Sequence, residues 1–249
     1  TNQVALHLMG EPLLHPQLSE MVQICAEQDL KIFLVTNGIL LRDEKLNLLL
    51  HSSFRQVNFS LHSFIDNFPD RDPEAYLKNI FAFSERAFIE RPDLYINYRL
   101  WNLNGVSEFQ EKNRDFLSRI ENHFGVAVAQ ELNLRKQKSF RLKERLYLHF
   151  DSEFVWPSLD LAPVGDKGTC YGLRSHFGIL ADGTVVPCCL DKEGVIPLGH
   201  LANSGLAEIL ASPRAQAMRQ GFLRHQLTEE LCRRCQFIDR FRKPNPVPN

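Results

Sequence analysis

In the stretch VALHLMGEPLLHP, residues 4–16, an apolar run breaks abruptly into a glycine, a glutamate and a proline. The run Val4–Met9 predicts a strand that is buried on both faces, as strands of parallel sheets are. Gly10 permits close backbone approach to a ligand, and Pro12 stiffens the turn. The Glu11 carboxylate at the strand end therefore suits a ligand ammonium group. The alternatives are that Glu11 caps the next helix or is simply exposed.

Strand and helix patterns alternate over residues 1–125. Strands are predicted at Val4–Met9, Lys31–Val35, Gln56–Leu61 and Leu94–Trp101, and helices at His15–Leu30, Leu41–His51, 72–89 and Val106–Phe124. We expect Asp72 to cap its helix and Gly125 to close the last one. This βα repeat predicts parallel strands with right-handed crossovers, and a ligand site at their carboxyl ends.

Polar residues follow each predicted strand. They are Gly10-Glu11-Pro12, Thr36-Asn37-Gly38, Ser60 with His62, and Arg99 with Asn102. Because Ser60 and His62 are two residues apart, a strand would point both side chains to one face, where they need polar partners. Ligand hydroxyls or backbone groups would serve. His7, His149 and His176 show no ligand spacing and are predicted to be core or surface residues.

The second half of the chain loses the βα periodicity. The basic run LRKQKSFRLKERL, residues 134–146, predicts a solvated surface segment, and a strand follows at Leu146–Phe150. Residues 157–168 are typical of a linker. Two short β runs around Asp182-Gly183 predict a hairpin, and a helix is expected to begin after Asn203 or Ser204.

Composition limits the class of protein. The 249 residues carry a formal net charge of −1, so nothing indicates binding to nucleic acid or to a membrane surface. No signal peptide is visible, and the apolar runs are too short to span a membrane. We therefore expect a cytoplasmic protein. Because a strand begins almost at Thr1, we also expect the natural N-terminus to be missing.

Five of the six cysteines lie in the last third of the chain, and this clustering favours metal binding over disulfides. Cys232 and Cys235 form a CxxC pair, which places two thiolates on one metal or cluster. The predicted hairpin would bring Cys188 back beside the stretch that follows Cys170. Four sulfur ligands indicate zinc or an iron–sulfur cluster, and the sequence does not separate them.

The remaining cysteine assignments are simpler. Cys189 is adjacent to Cys188, and neighbouring side chains diverge, so Cys188 is favoured as the ligand. Cys25 lies on the apolar face of a predicted helix and is interpreted as core. Two alternatives to a metal site are buried apolar cysteines with an incidental CxxC, and a thioredoxin-like redox pair. The redox pair is disfavoured because it belongs at a helix N-terminus in a βαβ unit.

Taken in order, these motifs resemble those of radical SAM enzymes with a C-terminal SPASM or twitch iron–sulfur domain. MGEPLLHP is similar to the family's GGEP motif, with Met9 in place of the first glycine. VTNG resembles the next strand end, and VNFSLHS the strand with ribose contacts, with His62 where many members have aspartate. CYGLRSHFGILADGTVVPCCLD and CRRC resemble the auxiliary-cluster region, where the spacing of Cys170, Gly183 and Cys188 also fits.

The resemblance implies a fold and a set of cofactors. The fold is a partial (β/α)6 TIM-like barrel that lacks its first strand, at residues 1–157, followed by a small cysteine-rich β-hairpin and helix domain at 158–241 and a tail at 242–249. S-adenosylmethionine (SAM) is implied as a cofactor that contacts Gly10, Glu11, Pro12, Thr36, Asn37, Ser60, His62 and Arg99. An auxiliary [4Fe-4S] cluster is implied on Cys170, Cys188, Cys232 and Cys235.

The implied roles are specific. Glu11 is the partner of the methionyl ammonium group, Ser60 and His62 lie near the ribose, and Arg99 contacts the ribose or the carboxylate. The intact protein is implied to generate a 5′-deoxyadenosyl radical and to abstract hydrogen from a peptide, protein or small-molecule substrate. A flavodoxin or ferredoxin is expected as electron donor.

One feature of the family is absent from this sequence. Radical SAM enzymes hold their catalytic [4Fe-4S] cluster with a CxxxCxxC loop, and no such motif occurs in the chain. We expect a missing N-terminal segment to carry it, so that this chain alone is inactive; a degenerate relative without radical chemistry is the other explanation. The alternative function is a non-catalytic C4 zinc or iron–sulfur module that binds a partner.

Overall fold

The structure is a computed structural model that describes residues 2–102, 113–128, 138–153 and 155–241. The chain divides into two units, residues 1–153 and 154–249. Among the described residues, no helix has both the length and the apolar character needed to cross a membrane. The predicted tail at 242–249 lies outside the described residues.

Parallel strands form the centre of the first unit. Its elements are β1 Gln3–Ala5, a 3-10 turn Pro12–Leu14, α1 Leu18–Glu27, β2 Lys31–Thr36, α2 Asp43–Leu49, β3 Phe54–Ser60, α3 Leu61–Asn67, α4 Glu74–Glu90, β4 Tyr95–Leu100, α5 Arg114–Phe124, β5 Ser139–Lys143 and β6 Leu146–Phe150. The strand order in the described sheet is β1-β2-β3-β4-β6-β5. The pairs β1-β2, β2-β3, β3-β4 and β4-β6 are parallel, whereas β5 pairs with β6 in antiparallel orientation. The predicted α/β architecture is therefore confirmed.

The two faces of this sheet differ in chemistry. Leu34, Val57, Ile96 and Leu148 are buried on one face, in a core completed by residues of the helices. Burying a leucine or isoleucine side chain contributes roughly 1.5–3 kcal/mol, so this face anchors the unit. The opposite face carries polar side chains, and it is there that the candidate site lies.

Of the two predicted helix caps in this unit, Gly125 is confirmed, whereas the N-cap of α4 is Pro73 and not Asp72. The Glu74 amide donates to Asp72 Oδ1 at 3.0 Å at the start of α4. Gly125 follows α5 with a φ of 66°, a left-handed conformation that favours glycine. The predicted helix from Val106 is described only from residue 113 onward.

The predictions for the first strand and for the basic run are wrong. β1 ends at Ala5, and Val4 is only half-buried, because β1 lies at the edge of the described sheet and pairs there with β2 alone. The basic run is not simply a solvated segment, since Ser139–Lys143 forms β5 and turns through Glu144, whose φ is 42°, into β6. Residues 129–137 lie outside the described part of the chain.

The second unit combines a small antiparallel sheet with short helices. Its elements are β7 Gly178–Ile179, β8 Thr184–Val186, β9 Gly199–His200, α6 Leu206–Leu210, α7 Pro213–Leu223, α8 Glu230–Arg233 and a 3-10 segment Gln236–Phe241. The predicted hairpin is confirmed between β7 and β8, where Gly183 has a φ of 93° and the Thr184 amide donates to Asp182 Oδ1 at 2.8 Å.

The single helix predicted after residue 203 is two helices. Pro213 has no amide proton and so cannot continue α6. The Ser212 hydroxyl accepts from the Ala215 amide at 3.4 Å and caps α7 instead. Neither Asn203 nor Ser204 caps α6, because the residue at its N-cap is Gly205.

Candidate functional site

Glu11 follows β1 and lies against the carboxyl end of β2. Its Oε1 accepts from the Thr36 hydroxyl at 2.6 Å and from the Leu13 amide at 3.0 Å, while Oε2 accepts from the Asn37 amide at 2.7 Å. Glu11 therefore does cap the 3-10 turn that follows it. Oε2 receives one hydrogen bond from the described residues, and a carboxylate oxygen can accept two, so a further donor fits there.

The loop around Glu11 depends on its glycine and proline. Gly10 has a φ of 84°, and no described atom lies within 4 Å of the position a Cβ would take. Glycine is therefore needed at this position for its backbone conformation and not for space. Pro12 is buried and occupies the start of the 3-10 turn, where no amide donor is needed.

The turn after β2 is fixed by bonds to its own polar groups. The Thr36 hydroxyl accepts from the Gly38 amide at 3.0 Å, and the Asn37 carbonyl accepts from the Tyr76 hydroxyl at 2.8 Å. Gly38 has a φ of 74°, and a Cβ there would lie 3.1 Å from the Phe59 ring. These contacts hold Thr36 and Asn37 at the edge where Glu11 lies.

The predicted strand pair of Ser60 and His62 is wrong. β3 ends at Ser60, and His62 lies in the first turn of α3, so the two side chains do not share a strand face. His62 Nδ1 lies 3.1 Å from the Arg99 carbonyl oxygen and 3.4 Å from the Trp101 amide nitrogen, and donation to the carbonyl, the shorter contact, places the proton on Nδ1. Burial is the main cause that lowers the pKa of His62. In this tautomer Nε2 is an acceptor, which suits a hydroxyl donor.

Ser60, Arg99 and His149 occupy adjacent positions on β3, β4 and β6. Ser60 pairs with Arg99 in the parallel register, and Arg99 pairs with His149. Side chains at paired positions of neighbouring strands point to one face, so the three form a polar row near the carboxyl ends. Sequence analysis placed Ser60 and Arg99 in the site and missed His149.

A buried amide network lies on the same face, closer to the amino ends of the strands. Asn58 Oδ1 accepts from Gln56 Nε2 and from Asn97 Nδ2, each at 2.8 Å, and Asn58 Nδ2 donates to the Leu34 carbonyl at 2.9 Å. Asn58 and Asn97 are both buried. The alternation of polar residues along β3 and β4 was the sequence signal that could have identified this face.

Arg99 carries the positive charge of the polar row. Its guanidinium stacks over the Trp101 ring, 4.4 Å from the centroid. Within the described part of the chain no carboxylate pairs with it and no oxygen accepts from it. Burial lowers the pKa of Arg99 to about 10. Since every fully buried polar side-chain atom among the described residues has a partner, the unbonded guanidinium nitrogens border accessible space.

The positive charge of Arg99 lowers the pKa of three imidazoles, those of His7, His62 and His149. Burial, and then the Arg99 charge, lowers the pKa of His7 to about 4. The same two causes, in the same order, lower the pKa of His149. His7 Nδ1 accepts from the Val35 amide at 3.2 Å, which also requires an unprotonated nitrogen. His7 and His149 are therefore both neutral near pH 7.

In the second unit, the hairpin brings Cys188 back beside Cys170, as predicted. The Gly172 amide donates to Cys170 Sγ at 3.4 Å. A Cβ added to Gly172 would lie 3.5 Å from Cys188 Cβ and 3.8 Å from Cys170 Sγ. Gly172 therefore packs against both cysteines, and a larger residue would press on them.

Cys232 and Cys235 border the same pair of cysteines. Burial raises the pKa of the Cys232 thiol most, and Cys188, Cys170 and Cys235 raise it further. Cys170 also contributes to the raised pKa of Cys235, after burial. Such mutual effects require the sulfurs to lie near one another. Cys189 is exposed, but Cys170 also raises the pKa of its thiol, after burial, so Cys189 lies near this group as well. Cys25 is buried in the core of the first unit.

Comparison with protein families gives two matches along the chain. The model of the radical SAM superfamily matches residues 3–110, and that of the SPASM iron–sulfur cluster-binding domain matches residues 170–236. Among curated protein sequences, none matches significantly. The two matches fall on the strand-end motifs and on the cysteine-rich segment, and they confirm the resemblance found in the sequence.

Solved structures share the fold at low sequence identity. BtrN in complex with AdoMet and 2-DOIA is 13% identical, with a TM-score of 0.50, over 94% of this chain and 72% of that chain. Streptococcus suis SuiB is 14% identical, with a TM-score of 0.51, over 88% of this chain and 57% of that chain. SuiB bound to the precursor peptide SuiA matches over 97% of this chain and 62% of that chain, also with a TM-score of 0.51.

Proposed function

Because residues 3–110 match the model of the radical SAM superfamily and residues 170–236 match that of the SPASM domain, we propose that this chain is a radical SAM protein that binds SAM at the carboxyl edge of its parallel sheet and an auxiliary [4Fe-4S] cluster in its second unit. When bound beside a reduced cluster, SAM supplies a 5′-deoxyadenosyl radical for hydrogen abstraction. The chain's own residues bind and orient the ligands and exclude water. The hydrogen-bonded setting of Glu11 at this edge carries the proposal.

The proposed contact to the SAM ammonium group is Glu11. Three donors of the chain, from Thr36, Leu13 and Asn37, hold its carboxylate in one orientation. A fixed carboxylate loses little freedom when it binds an ammonium donor, and charge-assisted hydrogen bonds are the stronger kind. Gly10 and Pro12 shape the loop that presents it.

The ribose is proposed to lie toward β3 and β4. The Ser60 hydroxyl and the acceptor nitrogen of His62 suit its hydroxyl groups. Arg99, beside Ser60 in the register, contacts the ribose or the carboxylate. Because His62 donates to the Arg99 carbonyl, it also fixes the end of β4.

Four cysteines of the second unit fit a four-iron cluster better than a single ion. In the described residues, no group of three His, Cys, Asp or Glu side chains is placed to hold one metal ion. Thiolates around one zinc lie about 4 Å apart, since each Zn–S bond is about 2.3 Å, whereas a cluster takes its thiolates on separate irons. The Gly172 amide donates to Cys170 Sγ, and such bonds tune thiolate ligands.

We further propose a peptide or protein substrate, reduction by a flavodoxin or ferredoxin, and a cytoplasmic location. Support for the substrate class comes from SuiB, which shares the fold and has been solved with its precursor peptide bound.

Anaerobic reconstitution with iron and sulfide tests the proposal. We expect broad visible absorption of an iron–sulfur protein and binding of SAM, measured by equilibrium dialysis. Colourless protein that holds one zinc and binds no SAM would support the non-catalytic metal module instead.

A further inference from the structure

The polar row extends beyond the residues proposed to hold SAM. Glu11 is bonded to the end of β2, whereas His149 lies on β6, three strands away in the order β2-β3-β4-β6. Neighbouring strands lie about 4.8 Å apart, so roughly 14 Å of sheet separates the two. The amino and carboxylate groups of an amino acid share one carbon atom. A methionyl group whose ammonium is at Glu11 therefore cannot place its carboxylate at His149.

The surroundings of His149 carry one uncompensated positive charge. Arg99 is its register neighbour, and no described carboxylate pairs with that guanidinium. Asp151, just beyond β6, is paired with Lys138 at 2.9 Å. The pKa values of His7 and His149 are lowered, so both imidazoles are neutral near pH 7, and the carboxylates of Asp66 and Glu153 act on His62. A largely buried cation without a counter-ion is costly, and an anionic group of a ligand would offset that cost.

The geometry of Arg99 suits a planar anion. Stacking on the Trp101 ring fixes the guanidinium plane and leaves its N–H edges unbonded. That edge matches the two oxygens of a carboxylate, with parallel hydrogen bonds. The Ser139 hydroxyl lies 3.5 Å from His149 Nε2, and either group can be the donor. When the hydroxyl donates, Nδ1 carries the proton, and the imidazole offers a second donor beside the guanidinium.

We propose that Arg99 and His149 form a subsite for a carboxylate group of the substrate, next to bound SAM and separate from it. One positive charge balances one negative charge, which favours a carboxylate over a doubly charged phosphate. Of the two SAM contacts proposed for Arg99, the one to the ribose is compatible with this subsite, because a guanidinium has five donors, and the one to the methionyl carboxylate is not. The inference rests on the proposed function in one respect, namely that SAM occupies the β1–β2 end of the edge.

Calorimetric titration with N-benzoylglycine tests the subsite, and its neutral amide, N-benzoylglycinamide, serves as the uncharged control ligand. Both probes are titrated into the full chain with and without saturating SAM. We expect the carboxylate to bind about tenfold or more tightly than the amide, the effect of one or two charge-assisted hydrogen bonds. Arg99→Gln and His149→Phe should each remove that preference, and His149→Phe should leave SAM affinity unchanged.

Arg55 provides a matched control variant. It too stacks on an aromatic ring, 4.8 Å from the Tyr95 centroid, but it lies near the opposite end of β3. Arg55→Gln should keep the carboxylate preference. Arg99→Lys keeps the positive charge but lacks the paired N–H groups of the guanidinium, so it should retain part of the carboxylate preference. Partial retention would show that the loss in Arg99→Gln comes from the charge and not from unfolding.

Three outcomes would be decisive against the proposal or its premise. Equal affinity of the wild type for both probes would overturn the subsite. Competition between SAM and N-benzoylglycine would assign the anion site to the methionyl carboxylate and overturn the substrate assignment. A retained carboxylate preference in protein that binds no SAM would uphold the subsite while contradicting the proposed function.

Discussion

The Thr36 hydroxyl donates to Glu11 Oε1 at 2.6 Å, so the last residue of β2 holds the carboxylate of the loop that follows β1. The same hydroxyl accepts from the Gly38 amide. One side chain thereby fixes both the proposed ammonium contact and the adjacent turn.

Glu11→Gln should weaken SAM binding by about 10- to 100-fold, the range expected when a hydrogen bond to a charged group is lost. The amide is neutral, and its NH2 group cannot accept from the Asn37 amide. Equilibrium dialysis of SAM measures the change. Glu20→Gln, on the exposed surface of α1, is the control and should bind SAM normally. Unchanged affinity in Glu11→Gln would remove Glu11 from the site.

Thr36→Val should lower the free energy of unfolding by about 1–2 kcal/mol, because it removes a buried hydroxyl that serves Glu11 and Gly38. Thr36→Ser keeps the hydroxyl and should recover most of the loss. Urea unfolding monitored by circular dichroism measures both variants. Equal stability of the valine and serine variants would show that the hydroxyl bonds contribute nothing.

The free energy of unfolding should fall below about pH 6.5, because His7 binds a proton more readily in the unfolded chain than in the folded protein. Its pKa is about 4 in the folded protein, below the ordinary value of 6.5, so the unfolded chain binds more protons between these values. The contribution is complete above pH 6.5 and is lost as the pH falls toward 4, by up to about 3 kcal/mol. His7→Asn keeps an acceptor for the Val35 amide but does not titrate.

The test for His7 is urea unfolding of wild type and His7→Asn at pH 5 and pH 7.5. The wild type should lose more stability than the variant between the two values. If the two proteins lose the same amount, His7 does not carry the proton linkage.

Cys188→Ser should lower the iron content of reconstituted protein, whereas Cys189→Ser should leave it near the wild-type value. Cys188 lies beside Gly172 and acts on Cys232, while Cys189 is exposed. Iron and sulfide analysis with the visible spectrum measures both. A loss of iron confined to Cys189→Ser would reverse the ligand assignment.

Local sequence patterns were sufficient for several elements. The hairpin at Asp182-Gly183 and the end of α5 at Gly125 follow from backbone conformations that few residues other than glycine adopt. The parallel order of the strands follows from the βα alternation. The return of Cys188 to Cys170 follows from the hairpin.

Other features depend on contacts between distant segments. An apolar run such as Val4–Met9 cannot reveal that its strand lies at the edge of the described sheet. His62 continues the polar alternation of β3, but α3 begins directly after Ser60. The alignment of Arg99 with His149 depends on the register of strands 50 residues apart. The periodicity within one strand does not predict that register.

Mössbauer spectroscopy of the chain reconstituted with iron-57 tests whether the second unit holds the auxiliary cluster. We expect one [4Fe-4S] cluster per chain in the wild type, and loss of that signal in Cys232→Ser. A wild type that takes up no cluster and instead retains one tightly bound zinc would contradict this expectation.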